Sequence, residues 1–379
     1  MVVLTEEQSI FRDSAKSWVA DRAPVASLRR LRDEGGSASG YDPATWRDMA
    51  AMGWTGVIIP EELGGSDFGC KSLGLVLEET GRTLTASPLL STSLAAASAL
   101  ILGGTATQKQ AWLPRIAAGE IVAALAVDEA AHHAPESVAM QAEKSGAGYI
   151  LAGRKRFTPD ASSADLIVAA ARTSGKPGET DGITLFLVEC GAAGLNILPL
   201  HAIDNRAAAD LWFDQVAVSA DHVLGEPGHG WAILEPVLDR ARAGLAAEML
   251  GTASQAFDVT LDYLKIRNQF GQSIGAFQAL QHRAAKMFTE LELTRSAVEA
   301  ALEAIDAGAR DVAELASLAK ARANDTLHLI SNEMVQMHGG IGMTDAHDAG
   351  LYLKRARVAE ALYGSSSYHR DRYARLGGY

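Results

Sequence analysis

This sequence of 379 residues has only two cysteines, no apolar run of membrane length and no excess of basic charge. The two cysteines, Cys70 and Cys190, lie far apart and have no metal-ligand spacing, which excludes a disulfide framework and favours a reducing compartment. The first residues, MVVLTEEQSIFRD, lack the basic region and apolar core of a signal peptide. We therefore expect a cytoplasmic protein.

Basic residues are fewer than acidic ones: the sequence has 34 Lys and Arg and 46 Asp and Glu, which gives a formal net charge of −12. Such a chain repels nucleic acid and anionic membranes, so any phosphate site must be a local cluster of basic residues. The most apolar stretch, residues 89–104, is interrupted by serine and threonine and is too short to span a bilayer. It predicts a buried helix. No metal-binding constellation of side chains is evident.

The hydrophobic period changes twice along the chain. Residues 6–119 show a helical pattern, and Thr5 is placed to cap the first helix. Between 121 and 224, runs of Val, Ile, Leu and Phe bounded by turn residues predict strands at 166–170, 183–188 and 211–218, with a hairpin around 149–151. Long helical patterns return from Trp231 onward. The sequence therefore predicts an α+β protein with domains at 1–120, 121–225 and 226–379.

Residues 263–281 (YLKIRNQFGQSIGAFQALQ) join two helical patterns. Taken alone, Phe270 and Gly271 predict a helix C-cap, and Phe277 begins the next apolar face. A plain connection between helices leaves several polar residues unexplained. The combination resembles the acyl-CoA dehydrogenase signature, carried here by Arg267, Gln269, Phe270, Gln272, Phe277 and Gln278.

The resemblance covers essentially the whole chain. Residues 336–344 (QMHGGIGMT) match the family's Gln-x-x-Gly-Gly segment, and weaker matches lie at 54–65, 78–82, 108–120 and 238–242. It implies an N-terminal helical domain, a middle β-barrel or sandwich and a C-terminal four-helix bundle, with FAD as cofactor. It further implies that FAD, partly across a subunit interface, is bound by Arg267, Gln269, Phe270, Phe277, Gln278, Gln336, Gly339, Gly340, Phe157, Gly364 and Ser365.

The family's catalytic glutamate is absent from its usual position. It precedes a Gly-Thr pair in the family, whereas here Tyr363 precedes Gly364 and Ser365. A tyrosine with a pKa of about 10 is ionised in only about one molecule per thousand at pH 7, so it is not a plausible base. The alternative base position of some relatives holds Ala241. Glu248 lies on a similar helix face two turns on and is a remaining candidate, although a solvated or ion-paired glutamate is the ordinary interpretation.

Two segments that surround the flavin ring in the family are also altered. Asp128-Glu129-Ala130 replaces Thr-Glu-Pro, and Phe157-Thr158-Pro159 replaces Trp-Ile-Thr. Phe157 keeps an aromatic wall, but Pro159 offers neither an N–H nor a hydroxyl. The segment with Asp239, Arg240 and Arg242 matches the one that contacts acyl-CoA, although its arginines also suit surface ion pairs.

The resemblance therefore implies a non-base subunit of an acyl-CoA dehydrogenase, an α2β2 tetramer with a glutamate-bearing paralogue. The complex would remove the α proton of an acyl-CoA, pass the β hydride to FAD and deliver electrons to an electron-transfer flavoprotein. Alternatives are a self-sufficient homotetramer with a displaced base and a non-enzymatic acyl-CoA- or flavin-binding relative. A flavin monooxygenase is disfavoured by the pair Arg267 and Gln278.

Overall fold

The computed structural model describes residues 4–34 and 40–379. The helices, in chain order, are α1 (Glu6–Arg22), α2 (Val25–Asp33), α3 (Pro43–Ala51), α4 (Gly69–Arg82), α5 (Ala97–Gly103), α6 (Ala106–Ala117), α7 (Trp231–Ile266), α8 (Gln278–Asp306), α9 (Val312–His338), α10 (Ala349–Ala361) and α11 (Ser366–Leu376). The strands are β1 (Ala123–Ala126), β2 (Gln141–Ser145), β3 (Gly148–Pro159), β4 (Leu166–Arg172), β5 (Ile183–Glu189), β6 (Leu195–Pro199), β7 (Ala208–Ser219), β8 (Val223–Leu224), β9 (Asn268–Gln269) and β10 (Gln272–Ser273). Helices therefore precede and follow a β segment, and the α+β prediction is confirmed.

The chain forms two compact units that are not consecutive in sequence. Unit 1 comprises Met1–Arg29, Gly74–Thr85 and Arg242–Tyr379, and unit 2 comprises Arg30–Leu73 and Ala86–Ala241. The division falls inside α7. The sequence-based boundaries at residues 120 and 225 stay predictions.

The first helix begins as its sequence indicates. The Thr5 hydroxyl accepts a hydrogen bond from the Gln8 backbone N–H at 3.1 Å, and the Thr5 N–H donates to the Gln8 side-chain oxygen at 3.2 Å. This reciprocal pair satisfies two amides at the helix start that lack an intrahelical partner. The predicted cap is confirmed. Thr105 and Gln108 form the same box at the start of α6, which the sequence analysis did not identify.

The middle segment is one mixed sheet with the strand order β6-β7-β3-β2-β4-β5-β8, and β1 pairs in parallel with β4. The predicted strands lie in β4, β5 and β7, and the predicted hairpin is β2–β3. Alternate residues from strands at both ends of the order, such as Phe186 of β5 and Leu211 of β7, belong to one buried cluster. The sheet therefore folds over its own core.

The buried helix predicted near residue 90 begins in an unusual form. Leu89–Ala96 is a π-helix that continues directly into α5, and its eight residues are all buried. The Thr92 hydroxyl of this segment accepts from the Ala123 N–H at 3.0 Å and donates to the Ala123 carbonyl at 2.9 Å, which joins the segment to β1. Among the described helices, none is long and apolar enough to cross a membrane.

In unit 1, helices α4 and α7 meet backbone to backbone at two glycines. A Cβ on Gly81 would lie 2.1 Å from the Glu248 carbonyl oxygen, and a Cβ on Gly251 would lie 1.8 Å from that of Glu78. Only glycine permits such an approach from both sides. The crossing fixes the position of α7, which carries several predicted site residues.

The connection after α7 differs from its prediction. Phe270 and Gly271 do not cap the helix, which ends at Ile266; they form the two-residue turn of the β9–β10 hairpin. Both have positive φ, +55° and +80°, as the tightest hairpin turn requires. The prediction was wrong because a left-handed glycine serves both a helix end and such a turn.

Candidate functional site

Most predicted cofactor-binding residues come together at one end of unit 1. The Phe270 and Phe277 rings pack edge to face with centroids 6.1 Å apart, which joins the hairpin to the start of α8. The Tyr263 ring stacks on His338 at 4.3 Å, which joins the end of α7 to the end of α9. We call this set the α7-end cluster, and its predicted members are Arg267, Gln269, Phe270, Phe277, Gln278, Gln336, Gly339 and Gly340.

The α7-end cluster is open to solvent. Phe270 is 91% exposed, and nothing lies within 4 Å of the position that a Cβ would take on Gly339 or Gly340. In the part of the chain that the structure describes, the Arg267 guanidinium has no carboxylate partner. A guanidinium, side-chain amides and accessible backbone beside two glycines suit a diphosphate. The cluster therefore fits the ADP part of a dinucleotide.

A second group of predicted residues surrounds Tyr363. Tyr363 and Gly364 have φ of +56° and +118°, and both their carbonyls accept two hydrogen bonds. The Tyr363 carbonyl accepts from Arg242 Nε at 3.4 Å and His369 Nε2 at 3.1 Å. The Gly364 carbonyl accepts from Lys320 Nζ and Asn324 Nδ2, both at 3.2 Å. Four donors thus hold this turn, which we call the Tyr363 turn.

The shape of the Tyr363 turn depends on its glycine. A Cβ on Gly364 would come within 2.6 Å of Tyr368 Cδ1 and 2.7 Å of His369 Nε2. Ser365 caps α11, since its hydroxyl accepts from the Tyr368 N–H at 3.3 Å. Tyr363 itself is buried, with 4% of its surface exposed. The turn at the predicted base position is therefore well held, and its tyrosine is buried.

Glu248 forms an ion pair with Arg355. Its carboxylate and Arg355 are both buried, and Glu248 Oε1 accepts from Arg355 Nε at 2.9 Å and Nη2 at 2.8 Å. Of the two ordinary interpretations, the ion-paired glutamate is confirmed and the solvated one is wrong. A carboxylate held by a guanidinium is stabilised as the ion, which weakens it as a proton acceptor.

The residues of the predicted acyl-CoA segment lie in both units. In unit 2, Asp239 is buried and Arg240 Nη1 donates to the Ser98 hydroxyl at 3.3 Å. In unit 1, Arg242 is buried and donates to the Tyr368 hydroxyl at 3.0 Å as well as to the Tyr363 turn. Arg242 therefore positions backbone and phenol within this chain and is not a surface ion-pair partner.

The two altered ring-contact segments use several of their polar groups within unit 2. The Phe157 N–H donates to Asp210 Oδ1 at 2.8 Å, and Pro159 ends β3 opposite Ala208. Asp128 accepts from His133 Nδ1 at 2.9 Å and from the Ala134 N–H at 3.2 Å. The buried Thr158 hydroxyl, by contrast, has no hydrogen-bond partner among the described residues.

Sequence analysis missed the ion pair beneath these segments. Fully buried Lys155 donates to Glu129 Oε1 at 2.5 Å and to the Val127 carbonyl at 3.0 Å. Burial lowers the pKa of Lys155, and the Glu129 carboxylate opposes that shift. A lysine at an inward position of a strand, with acids at 128 and 129, was the available signal.

An open groove of about 840 Å³ lies on the sheet of unit 2 and contains none of the predicted site residues. It is lined by Gly153, Arg154, Asn196, Leu198, Trp212, Phe213 and Asp214. Among the described residues, no group of three or more His, Cys, Asp and Glu is arranged to hold a metal ion.

Three family profiles match successive parts of the sequence. They are the N-terminal domain of acyl-CoA dehydrogenase at residues 5–120, its middle domain at 127–216 and its C-terminal domain at 228–377. The short/branched chain specific acyl-CoA dehydrogenase of Bos taurus mitochondria is 30% identical over 96% of this chain and 84% of its own length. The chain belongs to the acyl-CoA dehydrogenase family.

Solved structures of the family agree with this assignment. Butyryl-CoA dehydrogenase from Megasphaera elsdenii superposes with a TM-score of 0.91 at 25% identity, covering 100% of both chains. A steroid ACAD named Tcur3481-Tcur3483 gives a TM-score of 0.88 at 32% identity, covering 98% of each chain. The family carries out FAD-dependent dehydrogenation of acyl-CoA. The predicted fold and the FAD cofactor are therefore confirmed, and the assignment of Arg267, Gln278, Gly339 and Gly340 to its ADP part stays a prediction.

Proposed function

We propose that this chain is the subunit without a catalytic base in an α2β2 acyl-CoA dehydrogenase, where it completes the FAD site of a glutamate-bearing partner. The observation that carries the proposal is Tyr363, which is buried in an otherwise intact turn at the position of the family's base. A phenol with an ordinary pKa does not remove a proton from the carbon next to a thioester at pH 7.

The other base positions support the same conclusion. Ala241 has no ionisable group, and Glu248 is held in a buried ion pair with Arg355. The remaining alternative, a self-sufficient enzyme, would need Glu248 to break that pair before it accepted a proton. Leaving Arg355 buried without its partner is unfavourable by roughly 3–5 kcal/mol.

The length of α7 supports a shared cofactor site. From Arg242, beside the Tyr363 turn, to Ile266, beside the α7-end cluster, the helix rises by roughly 36 Å at about 1.5 Å per residue. This is more than one FAD molecule bridges, so the two groups of residues serve different FAD molecules. The α7-end cluster faces solvent and is placed to meet a cofactor bound mainly by another subunit.

Within that site, this chain contributes binding. Arg267 would pair with phosphate oxygens, the Gln278 and Gln336 amides would add hydrogen bonds, and Gly339 and Gly340 would admit the diphosphate to the backbone. When bound, FAD would supply the acceptor for the hydride of the acyl-CoA β carbon. The α proton would go to the partner's carboxylate, and an electron-transfer flavoprotein would take the electrons.

The paired name of the similar steroid ACAD fits an assembly of two different chains. We extend this likeness to the present chain as part of the proposal, with a bulky acyl-CoA as substrate in lipid degradation. The acidic net charge and low cysteine content favour a cytoplasmic enzyme.

The test is expression of the chain alone and together with a paralogue that keeps the glutamate. Alone, we expect no acyl-CoA turnover and little flavin; together, a tetramer with flavin in half of the protomers and full turnover. In the complex, Tyr363→Phe should leave turnover within about twofold, whereas replacing the partner's glutamate with glutamine should remove at least a factor of 100. A homotetramer that turns over with one FAD per protomer overturns the proposal.

The same experiment separates the alternatives. If the chain alone is active and Glu248→Gln abolishes turnover, the displaced base is Glu248. If flavin binds tightly but no partner restores its reduction by substrate, the chain is a non-enzymatic relative.

A further inference from the structure

Three aromatic rings from three segments of unit 1 form a continuous stack. His338, the last residue of α9, lies in the middle, with Tyr263 of α7 at 4.3 Å and His347 at 4.2 Å between ring centroids. The Tyr263 hydroxyl also donates to the His338 carbonyl at 3.4 Å. The segment between the histidines is the short 3-10 helix Gly339–Met343, which carries Gly339 and Gly340 of the α7-end cluster.

The structure fixes the tautomer of His338. Its Nδ1 lies 2.7 Å from the Met334 carbonyl oxygen, which only accepts, so Nδ1 carries the hydrogen. The basic nitrogen is then Nε2, which is buried in a residue 3% exposed and has no hydrogen-bond partner among the described residues. A proton added there would be a buried charge without an acceptor, which is unfavourable.

His347 makes a different contact on the other side of the turn. Its Nδ1 accepts from the Ala349 N–H at 3.1 Å, at the first residue of α10. This hydrogen bond joins the segment after the turn to the start of α10.

The described groups around His338 provide no acceptor for a second ring proton. The Tyr263 ring packs on it from α7, and the His347 ring lies against it, tilted by 41°. Asp345 and Asp348, which flank His347 in sequence, both pair with Arg29 of α2, at 3.4 and 2.6 Å. The neutral imidazole of His338 is therefore the form that this geometry accommodates.

We propose that His338 and His347 are positioning residues for the Gly339–Met343 turn, and that the turn stays in place only while the His338 imidazole is neutral. Acidification then opens the turn. The consequence for flavin rests on the proposed function of the α7-end cluster, whereas the opening of the turn does not.

The direction of the pH effect follows from burial. Desolvation lowers the pKa of His338 from 6.5, the nearby His347 lowers it further, and the Met334 carbonyl opposes the shift. His338 therefore binds a proton more readily when the turn is open than when it is closed. The closed form of the turn becomes less stable as the pH falls below about 6.5. One proton changes the closing equilibrium by up to about tenfold per pH unit.

The first experiment measures backbone hydrogen exchange of the peptide covering residues 339–349 at pH 8 and pH 5.5, corrected for intrinsic exchange rates. We expect its protection to fall by up to about tenfold at pH 5.5 in the unaltered chain. His338→Asn keeps a donor for the Met334 carbonyl and should be less sensitive to pH. His347→Asn keeps an acceptor for the Ala349 N–H and should keep the protection seen at pH 8. His201→Asn, an exposed histidine of unit 2, is the matched control and should behave like the unaltered chain.

Equal protection at both pH values overturns the inference, as does an unchanged pH dependence in His338→Asn. FAD affinity of the co-expressed complex is then measured over the same pH range. An affinity that follows the peptide's protection extends the inference to the cofactor site. If the turn opens and FAD affinity stays constant, the positioning role stands and the assignment of the turn to FAD is wrong.

Discussion

The Lys320 ammonium group donates hydrogen bonds to two backbone carbonyls and one side-chain amide near the Tyr363 turn. It is fully buried, and Nζ donates to Asn324 Oδ1 at 2.6 Å, the Ala359 carbonyl at 2.9 Å and the Gly364 carbonyl at 3.2 Å. Burial lowers the pKa of Lys320 well below 10.5, with Glu360 opposing. The three acceptors nevertheless match the three N–H groups of the charged form.

We expect Lys320→Met to reduce the free energy of unfolding by roughly 2–4 kcal/mol. Methionine fills the volume but removes a donor from three buried acceptors, of which the Gly364 carbonyl keeps Asn324 Nδ2. Each buried acceptor left without a donor is unfavourable by about 1–3 kcal/mol before relaxation. Urea unfolding measures the change, with Lys144→Met, an exposed lysine of β2, as the control. Equal stability of the two variants would show that water or rearrangement replaces the lysine.

For single residues, the sequence predicts which positions belong to a motif better than it predicts their hydrogen-bond and ion-pair partners. It identified the tyrosine at the base position because the surrounding motif has fixed spacing. It did not identify Lys320, His369 or the Arg355 partner of Glu248, because those contacts join residues 6 to 107 positions apart. The turn at Phe270 was assigned wrongly because one glycine conformation serves two structures.

The crossing of α4 and α7 shows that packing between helices can outweigh the helix propensity of a single residue. Helix propensity alone predicts that Gly251→Ala stabilises an α-helix by about 1 kcal/mol. The new Cβ would instead lie 1.8 Å from the Glu78 carbonyl oxygen, a backbone atom that cannot turn away. Packing therefore reverses the sign of the propensity effect.

We expect Gly251→Ala to reduce the free energy of unfolding by roughly 1–3 kcal/mol, the usual range for overpacking. Gly350→Ala in α10 is the matched control, since nothing lies within 4 Å of its Cβ position, and it should be neutral or slightly stabilising. Thermal unfolding of the two variants measures both signs. Stabilisation by Gly251→Ala would contradict the close crossing.

Element types were largely predictable, since the period of apolar residues distinguishes helix from strand over long segments. The strands β4, β5 and β7 and the helices after Trp231 follow that pattern. The pairing order of the sheet and the π-helix at Leu89–Ala96 were not predictable. Both depend on tertiary contacts, such as the one between Thr92 and Ala123.

At the scale of the whole molecule, α7 separates two groups of predicted site residues. Arg242, 11 residues after the start of α7, lies beside the Tyr363 turn, and the C-terminal end of the helix carries the open α7-end cluster. On the proposed function, another subunit uses that cluster. We therefore expect that replacing the exposed Arg267 weakens FAD binding at the partner's site.

In the co-expressed complex, we expect Arg267→Gln to weaken FAD binding by roughly 10- to 100-fold, as the loss of a charge-assisted hydrogen bond worth about 1.5–3 kcal/mol predicts. The melting temperature of this chain alone should not change, because Arg267 is exposed and has no carboxylate partner among the described residues. Lys265→Gln, an exposed cation two residues earlier that pairs with Asp262, is the matched control and should keep full FAD affinity.

FAD titration followed by flavin fluorescence measures the affinity of both variants. If Arg267→Gln binds FAD as tightly as Lys265→Gln, then the α7-end cluster does not serve the partner's cofactor, and the shared site has to be sought elsewhere on the chain.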